Sequence, residues 1–182
     1  MPDNLSVTAG YGTVIASQYK GGANHQRVIV HRQRAGVPFQ PPALAKVYMV
    51  GQAIGGEMQL QNVFRLAGDT SEATGLVVAL VSPSAAEFDL FLYPAPLATT
   101  PIDRGAVVMA SAELASVLLV IPVRAGDYHP VGGGMVATVC PPVGVLQAGA
   151  GSTGLYAVVV AVGNVSLPSV DALSLVLHVN LD

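Results

Sequence analysis

Glu87-Phe88-Asp89-Leu90-Phe91-Leu92-Tyr93 is the stretch on which the fold turns. Phe88, Leu90 and Leu92 occupy alternate positions, with Glu87 and Asp89 on the intervening ones. Successive side chains of a strand point to opposite faces, so the pattern predicts a half-buried strand with one wet face. In Gln26-Arg27-Val28-Ile29-Val30-His31-Arg32 the same spacing puts Val28 and Val30 on one face and Arg27, Ile29 and His31 on the other. The runs 76–81, 117–123 and 156–162 are apolar on both faces. Strands of that kind need cover on both sides, from another sheet or another subunit.

Outward from these runs, 20 glycines and 13 prolines punctuate the chain. Short segments rich in Val, Leu, Ile, Phe and Tyr lie between them and read as strands. They fall at 12–19, 25–34, 46–51, 57–66, 75–82, 86–93, 116–123, 135–140, 155–163 and 172–180. One helical turn is expected at 111–115, with Ser111 as its cap and Glu113 near its positive end. Helices do not alternate with strands, which argues against a parallel α/β sheet. The fold class expected is all-β, a β-sandwich of jelly-roll type. Residues 1–24, small, polar and glycine-spaced, read as an extended N-terminal arm ordered against a neighbour, and 25–182 as the jelly-roll domain. Segment 36–42 holds three prolines, cannot be a central strand and reads as a rigid connector.

Composition narrows the function classes. Of the 182 residues 52% are hydrophobic and 10% charged, the reverse of a disordered chain. Eight basic against eleven acidic residues give a net charge of −3, which argues against a nucleic-acid partner. A lone cysteine, Cys140, excludes an internal disulfide and a multi-cysteine zinc site, and reads as a small buried hydrophobe. Met1-Pro2-Asp3-Asn4 does not open a signal peptide. Residues 128–170 lack Asp, Glu, Lys and Arg, but glycines and prolines cut them into strand-length pieces, so no membrane span is expected.

Several motifs resemble catalytic or cofactor signatures. Gly149-Ala150-Gly151-Ser152-Thr153-Gly154 matches the dinucleotide-binding pattern, yet a strand-like run follows where that pattern needs a helix. No cofactor is expected. Ser17-Gln18-Tyr19-Lys20 matches S-x-x-K without the helix or the companion motifs. Glu87 and Asp89, ~7 Å apart on one strand face, could pair in glycoside hydrolysis, but there is no Trp and the aromatic content is 5%. A solvated face or an ion-pair contact is the better reading, and no catalytic residue is assigned. His25, His31, His129 and His178 show no metal-ligand spacing, so no metal site is assigned. Arg27, Arg32 and Arg34, with His31, form the one basic cluster, suited to guarding a strand edge or gripping an acidic partner.

The segment 16–30, Ala-Ser-Gln-Tyr-Lys-Gly-Gly-Ala-Asn-His-Gln-Arg-Val-Ile-Val, resembles an "I-G-G-V-H-Y-Q-R-V-K" pattern of tailed-bacteriophage structural proteins. It departs from that pattern with Ala23-Asn24 in place of Val, and it lacks the Tyr and the final Lys. Phe88 to Leu97, Ser111 to Ala115, Gly154 to Val160 and Leu173 to Leu181 resemble later segments of the same family, in order. About three-quarters of the chain takes part. The resemblance implies a virion structural protein and no enzyme.

The function expected is therefore that of a capsid cement, or decoration, protein on the capsid exterior. It would bridge neighbouring capsomers as a homotrimer bound to the major capsid protein, with no nucleic acid and no membrane as partner. The positive mean hydropathy fits apolar interfaces. Tyr11, Val14, Ile15 and Tyr19 of the arm and Arg27, Arg32 and Arg34 are the expected interface residues. The alternative is a tail-associated or host-attachment module binding glycan through loops at 132–134 and 149–154.

Overall fold

The computed structural model describes residues 33–141, 144–149 and 151–181 in full, and strands 13–20 and 23–30 as backbone. The strands are β1 (Thr13–Lys20), β2 (Ala23–Val30), β3 (Gln33–Phe39), β4 (Val47–Tyr48), β5 (Ala53–Leu60), β6 (Thr70–Leu80) and β7 (Phe88–Tyr93), followed by helix α1 (Ser111–Ser116). After the helix come β8 (Leu119–Val123), β9 (Tyr128–Val131), β10 (Gly134–Val139), β11 (Gly144–Gln147), β12 (Leu155–Ala161), β13 (Val165–Ser166) and β14 (Leu173–Leu181). The protein is all-β with antiparallel sheets.

The chain divides into two compact units, Met1–Gln33 and Arg34–Asp182. In the first, β1 and β2 form an antiparallel hairpin, with Thr13 opposite Val30 and Lys20 opposite Ala23. The sequence reading divides the chain after Asn24, a position that falls inside β2.

In the second unit one sheet runs β3-β14-β6-β10-β9, with β11 also on β6, and another runs β5-β12-β7-β8. A two-stranded sheet joins β13 to β4. The alternation in β7 works as its spacing predicts: Phe88, Leu90 and Leu92 are fully buried. They share one apolar cluster with Leu76, Val78 and Leu80 of β6, Leu175 and Leu177 of β14, and Val159 of β12. Both larger sheets thus bury their inner faces in the same core.

Segment 36–42 differs from the expected connector. β3 carries Pro38 as a strand residue, at the end of its sheet's strand order, where proline is tolerated. The same holds for β9, an edge strand that carries Pro130. Cys140 is exposed rather than buried, because β10 ends at Val139 and the cysteine lies beyond the core-facing register. Gly55 and Gly56, both with φ near +80°, make a bulge in β5. The register against β12 jumps there, from Val158 opposite Glu57 to Val160 opposite Ala53.

Candidate functional site

Of the expected interface residues, Tyr11 and Arg32 lie outside the described residues. Val14, Ile15 and Tyr19 sit on β1, opposite Ile29, Val28 and Asn24, and Arg27 sits on β2 opposite Ala16. Their side chains also lie outside the described residues. Arg34 is exposed near the start of β3.

A different surface emerges on the sheet β5-β12-β7-β8. Its inner face belongs to the core, while Tyr93, Phe91, Tyr156, Val158 and Val160 lie on the other face. The register sets Tyr156 beside Tyr93, Val158 beside Phe91 and Val160 beside Asp89. The Tyr93 and Tyr156 rings stack with centroids 6.3 Å apart.

A strap from residue 94 to 110 packs on this face. Leu97 packs on Tyr93, Val158 and Ala53, all buried. Glu57 Oε1 accepts the Tyr93 hydroxyl at 2.9 Å and the Leu97 amide at 2.9 Å. Burial, reinforced by this carboxylate, pushes the Tyr93 phenol well above its ordinary pKa. Farther along, the strap runs beside the start of β5: Arg104 N donates to Ala53 O and Ala53 N to Gly105 O, each at 2.8 Å.

Asp103 pins the strap. Its Oδ1 accepts the Tyr48 hydroxyl at 2.8 Å and the Gly55 amide at 2.7 Å. Burial and the Asp103 bond push the Tyr48 phenol up to about 12. At the strap's end, Glu113 accepts the amides of Ala110 and Ala98, each at 2.6 Å. These bonds hold its carboxyl below the usual range. Ala110 is the N-cap of α1, so Ser111 is the first helical residue rather than the cap.

The strap leaves an apolar groove of about 400 Å³ uncovered, lined by Gly51, Phe91, Val107, Met109, Leu114 and Val160, with Val108. Val108 and Leu114 are 68% and 56% exposed, although both are aliphatic. One end of the groove meets charge, since Asp89 is the register partner of Val160. Asp89 pairs with Arg124 at 2.7 Å. The Asp127 carboxylate accepts the Arg124 amide at 2.8 Å, and Glu87 accepts the Ala125 amide at 3.1 Å. Glu87 and Asp89, weighed as a hydrolytic pair, are thus engaged with Arg124 and the neighbouring backbone.

Gly149 to Gly154 lead directly into strand β12, with Gly154 against the Leu60 carbonyl. Among the described residues no group of three His, Cys, Asp or Glu could hold a metal ion, and no helix is long and apolar enough to cross a membrane. No expected interface residue falls in the groove. Its signals were the both-faced run 156–162 and the apolar Val107-Val108-Met109 ahead of the short helix. No family model matches the chain, and no curated protein matches it.

Proposed function

We propose that the chain is a tailed-bacteriophage virion structural protein, a capsid cement protein of jelly-roll fold that bridges neighbouring capsomers as a homotrimer. The strand order supports the fold. Counting β3, β5, β6, β7, β8, β10, β12 and β14 as one to eight, the sheets run one-eight-three-six and two-seven-four-five. A jelly-roll sandwich would have its eight strands in that order.

The observation that carries the functional reading is the open apolar face with Phe91, Val107, Met109 and Val160, rimmed by exposed Val108 and Leu114. A groove of this kind, rimmed by exposed aliphatic residues, is a candidate interaction surface. Subunit contacts would draw on it, and the resemblance of the 16–30 segment to phage structural proteins supports a virion as the setting. The mechanism is additive burial. Each 1,000 Å² of apolar contact across a capsomer joint offers a gross gain of ~25 kcal/mol before association costs.

The test has two parts. Sedimentation of the purified chain should give three times the 18.5 kDa of one chain. Incubation with capsids of the parent phage lacking the chain, followed by imaging, should then place it on the capsid exterior. A monomer, or binding to host glycan with none to capsids, overturns the reading.

A further inference from the structure

We propose that residues 108–117 form a flap over the apolar groove, latched by the Glu113 carboxylate and opened by acid. The flap lies on the face that the proposed function uses, but its opening is a property of the single chain and is read without oligomer or capsid.

The flap is joined to the body at its two ends. Val107 N donates to Gly51 O at 3.1 Å and Leu118 N donates to Leu92 O at 2.8 Å, which fixes the chain on either side. Between these two points no side chain is buried, and α1 buries none of its own. The backbone bonds of the flap are internal, Leu114 N to Ala110 O and Val117 N to Leu114 O. The Ser116 hydroxyl likewise donates to the Glu113 carbonyl. Among the described residues, one hydrogen bond ties the flap to the rest of the chain: the Ala98 amide donates to Glu113 Oε1 at 2.6 Å. Segments with so little buried apolar contact open at the low end of the range of local stabilities.

The latch closes only when Glu113 is ionised. Its Oε1 accepts the Ala98 amide and its Oε2 accepts the Ala110 amide, each at 2.6 Å. A proton on either oxygen turns that oxygen into a donor facing an N–H, so the acid form gives up one of the two bonds. The same two bonds hold the carboxyl below its ordinary value of 4.5. The latch is therefore complete above the ordinary carboxylate value and is lost as pH falls through the lower folded one. Tyr93 of β7 faces Glu113, and Glu57 of β5 accepts the Tyr93 hydroxyl. The strap adds Asp103, engaged with Tyr48, and Arg104. Among the described residues no cation forms an ion pair with Glu113.

Val108, Met109 and Leu114 are the flap's side of the groove, and Gly51, Phe91 and Val160 are the side of the sheet. Swinging the flap outward removes the first wall and uncovers the Phe91 and Val160 side chains, both partly covered in the closed form.

The experiment uses the full chain. Amide exchange by NMR, taken as protection relative to the free-peptide rate, reads the latch, and emission of the uncharged dye Nile red reads the uncovered groove. Between about pH 6 and about pH 3 the parent should lose about tenfold or more of its protection at Ala98 and Ala110 and gain dye emission, while β6 and β14 stay protected. Glu113→Gln also sets a donor against one of the two amides, so at about pH 6 it should be as open as the parent in acid and respond no further to pH. Parent-like protection and emission in Glu113→Gln at about pH 6, or a loss that extends equally through β6 and β14, overturns the flap. An acid response at Ala98 and Ala110 that survives in Glu113→Gln overturns Glu113 as the latch. An opening seen in a monomeric chain leaves the flap standing and removes the homotrimer.

Discussion

Replacing Asp103 by Ala tests whether one carboxylate holds the strap that shapes the groove. Two donors converge on Oδ1, the Tyr48 hydroxyl and the Gly55 amide, at 2.8 and 2.7 Å. A hydrogen bond to a charged group is worth ~1.5–3 kcal/mol, and removing the acceptor strands both donors. Some of that cost returns, because a carboxylate whose Oδ2 is buried without a partner no longer has to be desolvated. The expected net loss is ~3 kcal/mol. For a chain of this size that lowers Tm by ~6–12 °C. Urea denaturation followed by far-UV circular dichroism reads the loss directly. Tyr48→Phe alone should cost ~1–2 kcal/mol, since it also strands the Leu44 amide that donates to the hydroxyl at 2.7 Å. The double variant should cost less than the two singles combined, by ~1–2 kcal/mol, because the pair is in contact. Asp103→Ala within ~0.5 kcal/mol of the parent, or strict additivity with Tyr48→Phe, would refute the pinning role.

Gly55→Ala should destabilise by ~2 kcal/mol or more, measured by the same titration: φ is +81°, and the new Cβ would stand 2.7 Å from Pro41 Cβ. Phe88→Ala, which empties a fully buried site between the two sheets, should cost ~3–5 kcal/mol. Alkaline stability follows from the tyrosines. The fold favours the neutral Tyr48 phenol, raising its pKa from 10.0 to about 12, so its contribution is complete below pH 10 and lost as pH climbs to 12. That contribution is at most ~3 kcal/mol. Tyr93 and Tyr128, pushed up in the same direction, steepen the decline, and phenolate absorbance alongside denaturant midpoints would show it. Arg124→Met, which removes a half-exposed ion pair, should change stability by less than ~1 kcal/mol in thermal melts.

Strands whose apolar residues alternate or cluster were legible, because burial on one face writes a period of two into the chain. β7, β8, β10, β12 and β14 fall within three residues of their expected starts. The sheet edges were harder to read. Pro38 in β3 and Pro130 in β9 carry a turn or connector signal, and only the strand order shows that both strands are sheet edges, where proline is tolerated. β11, four residues long, has too little sequence to show a period. The expected interface residues were drawn from residues 11–34, where the basic cluster and the family resemblance lie. The groove is made of residues from four separate parts of the chain, Gly51, Phe91, Val107–Leu114 and Val160, whose proximity no local pattern records.

The long strand β6 meets one neighbouring edge in two instalments. β10 stops opposite Leu76 and β11 resumes opposite Ala73, with the imino acids Pro141 and Pro142 in the sequence between them. On the other flank the ladder to β14 slips at the same level, between His178 and Val179. Thr74 therefore marks a crease across the sheet, stitched there by its own hydroxyl to the His178 carbonyl at 3.2 Å. A panel scored along one line bends along that line. Load applied to the body would be taken up as a rotation about Thr74 and Gly75, while the amides on either side keep their grip and exchange slowly with solvent.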